Sequence, residues 1–275
     1  MKLVYFGDVM GKSGRHGLET HLPTIIETLL PDFIMVNGEN AAHGFGITEK
    51  ICKQFFDLGV DVITTGNHTW DQKEIIDYID DEPRLLRPLN YPELTPGNGS
   101  GIFKARNGKN VFVGQVIGSL FMASVDDPFV AIDNALRQKK LGREFDCAVV
   151  DVHAEATSEK MALGQHLNGR VSMVVGTHSH IPTADAQILS NGTAYQTDLG
   201  MCGDYDSVIG MKPNAAIGRF MKKSPVERLS PAEGLATVCG VFLDSNDETG
   251  QAIRIEPIRL GGKLIQNVPS RYING

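Results

Sequence analysis

Five short, mostly apolar runs in this chain each hand over to a polar segment made of metal-ligand residue types. Leu3–Phe6 leads into Gly7-Asp8, and Phe33–Val36 into Gly38-Glu39-Asn40. Val60–Thr64 leads into Gly66-Asn67-His68, Cys147–Val152 into His153, and Val171–Val175 into Gly176-Thr177-His178-Ser179-His180. Runs of this length, bounded by glycine and asparagine, read as buried strands. In an open α/β sheet the carboxyl ends of the strands form one rim, and ligands bind there. Carboxylates, carboxamides and imidazoles donate oxygen and nitrogen to hard and borderline cations. Side chains far apart in sequence are therefore expected to converge on a metal centre, with two ions.

Helical signals lie between these runs. Leu22, Ile25, Ile26, Leu29 and Leu30 make an apolar stripe along Leu18–Leu30. Thr48 is placed to cap a helix through Leu58 whose inner face is Ile51, Cys52, Phe55, Phe56 and Leu58. This βαβαβ order argues for a parallel sheet. Pro83, Pro88, Pro92 and Pro96 mark Pro83–Ser100 as an irregular connection. Gly101–Arg106 and Asn110–Val116 read as a hairpin around Asn107-Gly108. Pro128–Lys140 and Ser158–His166 read as helices. The last third is more antiparallel: Ala186–Leu189 pairs with Thr193–Gln196 across Ser190-Asn191-Gly192, and Ala236–Leu243 with Ala252–Leu260. Together these elements predict an α/β fold in which two mixed sheets face each other under flanking helices. Residues 1–275 read as one domain, with a mobile polar tail at 261–275.

Charge and cysteine usage exclude several classes. The formal net charge is −7, so tight non-specific binding to a nucleic-acid backbone is not expected. An anionic substrate needs a local positive site, which bound metal supplies. None of Cys52, Cys147, Cys202 and Cys239 forms a CxxC pair, which removes support for a zinc knuckle or thioredoxin-type motif. A disulfide framework is not expected in a chain this long. The N-terminal apolar run is too short for a signal peptide, and no apolar segment reaches the roughly 18 residues of a membrane helix. A cytoplasmic location is the expectation.

Each candidate has a plainer explanation beside the chemical one. Asp8 alone reads equally as a turn residue or helix cap. The Gly11-Lys12-Ser13 that follows lacks GxxxxGK[ST] spacing, so a nucleoside-triphosphate loop is rejected. Glu39-Asn40 alone reads as a solvated loop, and a lone His153 as a satisfied core histidine. Gly66-Asn67-His68 is harder to dismiss, because a tripeptide at a strand exit presents both side chains at the rim. His178-x-His180 is the sharpest local signal. What gives these residues force is coincidence: independent strand ends all terminate in ligand types. His16, His21 and His166 lack strand-end placement and read as surface residues, and His43 is ambiguous. The glycine-rich loop Thr197–Gly210 walls the site or is a tight crossover.

Gly7-Asp8, Gly38-Glu39-Asn40, Gly66-Asn67-His68, His153 and Gly176-Thr177-His178-Ser179-His180 resemble the ordered blocks of the calcineurin-like metallophosphoesterases. The runs Glu39-Asn40-Ala41-Ala42, Gly46-Ile47-Thr48, Thr65-Gly66-Asn67-His68-Thr69-Trp70 and Thr197-Asp198-Leu199-Gly200-Met201 resemble the YmdB-like phosphodiesterase family within them. The similarity covers nearly the whole chain. Met10 replaces the histidine of a GDxH block, and Gly38-Glu39-Asn40 replaces GDxxD; the YmdB-like branch shares both departures. They leave substrates of ordinary phosphatases a poor guide.

The resemblance implies a four-layer α-β-β-α sandwich and a dinuclear phosphodiesterase acting on small cyclic nucleotides, 2′,3′-cyclic with 3′,5′-cyclic as an extension, by metal-activated hydroxide attack. It implies one metal held by Asp8, Glu39, Asn40 and His180, and another by Glu39, Asn67, His153 and His178, with Glu39 bridging. It favours iron, with manganese or zinc as alternatives. Two divalent ions bring about +4 against two ionised ligands, an excess near +2 that suits a phosphate diester. His68 is the candidate general acid; ligation or phosphate contact is the alternative. A phosphomonoesterase on the same scaffold and a metal-dependent nucleotide sensor without turnover remain the competing readings. The acidic balance argues against a nuclease on long substrates. Oligomeric state is left open, a homo-oligomer included.

Overall fold

The computed structural model describes residues 1–222 and 227–269. From the N-terminus the chain builds β1 (Lys2–Val9), α1 (Gly11–Leu29), β2 (Phe33–Asn37), α2 (Glu49–Asp57), β3 (Val62–Thr64), α3 (Ile75–Tyr78) and β4 (Leu85–Leu86). It continues through β5 (Ser100–Lys104), β6 (Asn110–Ile117), α4 (Pro128–Ala135), β7 (Cys147–His153), α5 (Thr157–His166) and β8 (Met173–Thr177). The last third gives β9 (Gln187–Ile188), β10 (Ala194–Gln196), β11 (Met201–Asp204), α6 (Pro213–Phe220), β12 (Ala236–Ser245) and β13 (Ala252–Leu260).

Alternation along the strands decides the layers. Successive side chains of a strand point to opposite faces. Leu3 and Tyr5 of β1, Phe33 and Met35 of β2, Val111 and Val113 of β6, Val149 of β7, and Met173 and Val175 of β8 share one buried cluster, the interface between two sheets. Val4, Phe6, Ile34 and Val36, on the other face, pack under Leu18, Leu22 and Ile25 of α1 and Ile51, Cys52 and Phe55 of α2. Across the molecule, Phe112, Ala148, Val150 and Val174 pack under Ile132 of α4 and Leu163 of α5. Strands buried on both faces read as continuous apolar runs, which is what the sequence shows. Each fully buried side chain of Val-to-Phe size contributes roughly 1.5–3 kcal/mol, so this stacking dominates the fold energetically. The result is helices, sheet, sheet, helices: the expected four-layer α/β sandwich.

Both sheets are mixed. The first runs β13-β12-β11-β1-β2-β3-β4, with β1 to β4 parallel and β12 antiparallel to β1. The second runs β5-β6-β7-β8-β10-β9, parallel from β6 to β10 and antiparallel at both edges. The carboxyl ends of β1, β2 and β3 therefore meet those of β7 and β8 at one rim.

Under that rim the apolar interface gives way to a polar layer. Asp151, fully buried on β7, accepts hydrogen bonds from Tyr5 Oη (2.5 Å), Thr64 Oγ1 (3.0 Å), Gln115 Nε2 (2.7 Å) and Thr177 Oγ1 (2.8 Å). The first two donors come from the facing sheet, so one carboxylate ties the two sheets together beneath the site. Gln115 Nε2 and Asn37 Nδ2 also reach Thr65 O, at 2.6 and 2.7 Å.

Several expected boundaries shift. α1 starts at Gly11 rather than Leu18: its glycine-rich first half lies against β11, where a Cβ on Gly14 would collide with Cys202 O. Tertiary contact overrides poor helix propensity there. α4 ends at Ala135 rather than reaching Lys140, and Gln138 adopts a left-handed φ of 60°. Thr48 does cap α2, its Oγ1 accepting from Ile51 N at 3.3 Å. The connection at Pro83–Ser100 contains the short β4, and the region after Thr197 contains β11 and α6, none of which the sequence pattern announced. Of the expected tail, residues up to 269 are described, and Asn267 exchanges backbone hydrogen bonds with Arg259; residues 270–275 lie outside the described residues.

Tyr5→Phe removes one of the two hydroxyl donors that span the sheets and leaves Asp151 one bond short. Unfolding in urea is expected to show a loss of about 1–3 kcal/mol with an unchanged slope.

Candidate metal centre

The rim collects every residue singled out from the sequence. Two groups of donors each bring their ligand atoms within 4.8 Å of one another: Glu39, His153 and His178 in one, Asp8, Glu39 and His180 in the other. Glu39 belongs to both. Asp8, Glu39 and His153 are fully or nearly fully buried, and His180 and Asn40 are buried too. Asn67 joins the first group, its Oδ1 lying 2.9 Å from His153 Nε2. Asn40 joins the second, its Oδ1 lying 3.2 Å from His180 Nε2.

The outward ends of His153, His180 and Asn40 are tied down, and this fixes what their inward ends offer. Thr177 Oγ1 gives its proton to Asp151 and thus receives one from His153 Nδ1, 2.8 Å away. His180 Nδ1 donates to the backbone carbonyl of Ile209 at 2.8 Å. Asn40 Nδ2 donates to Gly44 O at 3.0 Å, so its carbonyl oxygen faces inward. His153 Nε2 then meets Glu39 Oε1 at 3.3 Å as well as Asn67 Oδ1, and His180 Nε2 lies 3.9 Å from Asp8 Oδ1. Lone pairs crowded together in a dry site repel unless positive charge lies among them, from a proton or a cation. Asp8 Oδ1 is buried with no hydrogen-bond partner at all. Buried orphan acceptors are rare in folded proteins. An inward-facing N/O donor set with an orphaned carboxylate oxygen fits a cation, and a cation held there would polarise a carbonyl or phosphoryl oxygen.

Burial and neighbouring charge shift the titration of these groups in opposite directions. Burial raises the Asp8 carboxyl, against the pull of His180 and His153. Burial also pushes Glu39 upward, but His153 and the His68 backbone N–H outweigh it and hold the carboxyl low. Burial disfavours the charged form of His153, but Glu39 outweighs that penalty and raises the imidazole. His178 is pushed down to about 3 by burial and then by the neighbouring His153.

Gly66 makes this approach geometrically feasible. A Cβ there would fall onto Glu39 Oε2 and the His153 ring. His68 follows: its backbone N–H donates to Glu39 Oε2 at 3.1 Å, while its ring is partly exposed. Its Nδ1 lies 2.7 Å from Asp71 Oδ2, and Phe45 packs edge-on at 5.2 Å between ring centroids.

The plainer readings of Asp8 as a helix cap and of Glu39-Asn40 as a solvated loop fail, whereas His153 is both a satisfied buried histidine and a member of the donor cluster. Asp8 does not cap α1, whose N-cap is Met10; Asp8 Oδ2 instead accepts from His178 N at 3.1 Å. Glu39-Asn40 is buried rather than solvated, and His153 is ringed by polar donors and acceptors. His16, His166 and the ambiguous His43 are exposed, and His21 is half-buried. Met10, in place of the histidine of a GDxH block, is buried in an apolar cluster with Met201 and Met211. The Thr197–Gly210 segment serves both alternatives: β11 pairs with β1 at Asp8 and Met201, and Ile209 supplies the carbonyl on His180. Sequence reasoning missed Asp151, Thr177 and Glu155 as supports. Glu155, whose Oε2 is 3.2 Å from His178 Nε2, had a signal, being an acid two positions past the strand-end histidine. The Ile209 carbonyl had none, because any residue supplies one.

Known proteins share this arrangement's sequence and fold. The 2′,3′-cyclic-nucleotide 2′-phosphodiesterase of Bacillus subtilis (strain 168) is 47% identical over 258 residues, spanning 94% of this chain and 96% of that one. A crystal structure of a protein from Thermus thermophilus superposes with a TM-score of 0.88 at 40% identity, covering 96% of this chain and all of that one. A crystal structure described as a novel phosphatase, from Mycoplasma pneumoniae, gives 0.87 at 34% identity, covering 95% and 93%. Residues 4–258 match the YmdB-like protein family, and the chain belongs to that family.

Proposed function

We propose that this protein is a dinuclear-metal phosphodiesterase of small cyclic nucleotides, 2′,3′-cyclic substrates first and 3′,5′-cyclic ones by the same chemistry. The observation that carries the reading is the pair of donor groups sharing Glu39, with Asp8 Oδ1 buried and unpartnered beside them. The Bacillus subtilis relative, named for this activity, supports the substrate class. Asp8, Glu39, Asn40 and His180 would hold one ion, and Glu39, Asn67, His153 and His178 the other, as iron or alternatively manganese or zinc. When bound, such ions supply Lewis-acid stabilisation of phosphoryl oxygens and lower the pKa of water toward neutrality.

The chain's own groups do the rest. Thr177 and the Ile209 carbonyl hold His153 and His180 with Nε2 inward. Asp71, on Nδ1 of His68, orients that ring so that Nε2 delivers a proton to the leaving oxygen. Hydrolysis of a 2′,3′-cyclic phosphate at its P–O2′ bond, with the oxygen of water joining phosphorus and a proton reaching O2′, would yield a 3′-monoester and a free 2′ hydroxyl, consistent with the 2′-phosphodiesterase named for the relative. The partial exposure of His68, against the burial of the ligands, suits a group that must meet substrate. A reducing, cytoplasmic setting fits the four buried free thiols. Among the described residues no helix is long and apolar enough to cross a membrane.

Purified protein with Mn²⁺ is expected to turn over 2′,3′-cyclic AMP faster than p-nitrophenyl phosphate. The reverse order makes it a monoesterase, and nucleotide binding without product makes it a sensor. His68→Ala is expected to lower kcat by about 10²–10⁴-fold while elemental analysis finds the metal complement unchanged; lost metal would instead make His68 a ligand. Mn²⁺ at about a hundred times its Kd is expected to stabilise the fold by about 2.7 kcal/mol, reversed by chelation and absent in Glu39→Gln.

A further inference from the structure

We propose that the buried Lys160–Asp198 ion pair is a positioning clamp on the His178-Ser179-His180 loop, acting on the donor cluster through backbone rather than by touching a ligand atom. The proposal rests on the cation-binding reading above. Its starting point is conformational. His178 and His180 both have left-handed backbone, with φ of 91° and 65°. Residues with a Cβ seldom adopt that region, and such strain persists only where the surroundings over-determine it.

Asp198 supplies that determination. Its Oδ2 accepts the Ser179 N–H at 3.1 Å, between the two histidines, and its Oδ1 accepts Gly200 N–H at 2.8 Å. Leu199 N–H to Gly176 O (2.9 Å) and Met201 N–H to His180 O (3.1 Å) close the loop on either side. The Asp198 carboxylate is wholly buried, so it needs a counter-charge. Lys160 Nζ provides it at 2.7 Å, with its own side chain 1% exposed. The lysine comes from α5, just beyond the strand that ends in His153, and its stem crosses Gly176, where a Cβ would stand 2.7 Å from Lys160 Cδ. One ion pair therefore links the element after β7 to the loop after β8, and so relates His153 to His178 and His180. A buried ion pair is weak evidence for stability, because well-packed apolar replacements often do as well. Geometry explains this one: a carboxylate accepts both backbone N–H groups and the ammonium at once, which no apolar group does.

The test compares the full-length parent with Asp198→Ala and with the double variant Lys160→Met/Asp198→Asn, which keeps an acceptor for Ser179 and leaves no unpaired charge. Hydrogen exchange is followed in peptides covering 177–181, and Mn²⁺ affinity is measured by calorimetric titration. Asp198→Ala is expected to speed exchange in that loop while β6 and β7 stay protected, and to raise the Mn²⁺ Kd about 10–100-fold, as loss of ligand support does elsewhere. The double variant is expected between the two. Parental loop exchange and Kd in a folded Asp198→Ala, with only the melting temperature lowered, overturn the clamp. Should Asp198→Ala not fold, the double variant decides alone: weakened Mn²⁺ binding supports the clamp and parental affinity overturns it. A parent that takes up no Mn²⁺ refutes the cation reading itself, and exchange at 177–181 still judges the clamp separately.

Discussion

Unscreened negative charge at the sheet rim is the constraint around which this molecule is organised. Asp8, Glu39, Asp151 and Asp198 all bury their carboxylates completely or nearly so. Burying an ionised carboxylate without compensation is costly enough that it protonates or finds partners. Two of the four have every carboxylate oxygen satisfied by donors outside the cluster, while Asp8 and Glu39 each accept one backbone N–H, from His178 and His68. Asp151 collects hydroxyl and amide donors, and Asp198 collects backbone N–H groups and an ammonium. Asp8 and Glu39 face inward toward imidazoles and carboxamide oxygens, with Asp8 Oδ1 unanswered. That division separates the supporting acids from those available to a cation.

The supports explain the site's precision. His153 is aimed by Thr177 and Asp151, His180 by the Ile209 carbonyl, and Asn40 by Gly44 O. Fixing the far nitrogen or amide of a donor settles its tautomer and orientation before any ligand arrives, which is the preorganisation on which metal sites depend. The same Asp151 joins the two sheets through Tyr5 and Thr64. Fold stability and site geometry are thus coupled through shared side chains.

The structure gives physical sense to the two places where the sequence departs from the GDxH and GDxxD blocks. Glu39, the acid in the altered second block, is the residue common to both donor groups. Met10 packs into a small apolar cluster with Met201 and Met211. The proposed general acid, His68, is half-open, and its backbone is nonetheless anchored on Glu39.

Much of this was legible in the sequence, because strand-end placement is a local property. A buried parallel strand is a continuous apolar run, its carboxyl end is a fixed point on the rim, and Asp8, Glu39, Asn67, His153, His178 and His180 each occupy such a point. Thr48 as a cap and Asn191-Gly192 as a hairpin turn were readable for the same reason: their effect reaches only a few residues. Long-range pairing decided the rest. Nothing local distinguishes the Ile209 carbonyl from any other, marks Asp198 as the acceptor for Ser179, or shows that Lys160 is buried opposite it. The start of α1 was hidden too, since its glycines look like helix breakers until β11 lies against them. One-dimensional pattern encodes which faces are apolar and where strands stop; which polar atoms end within bonding reach of one another depends on how the two sheets stack, and only the folded chain sets that distance.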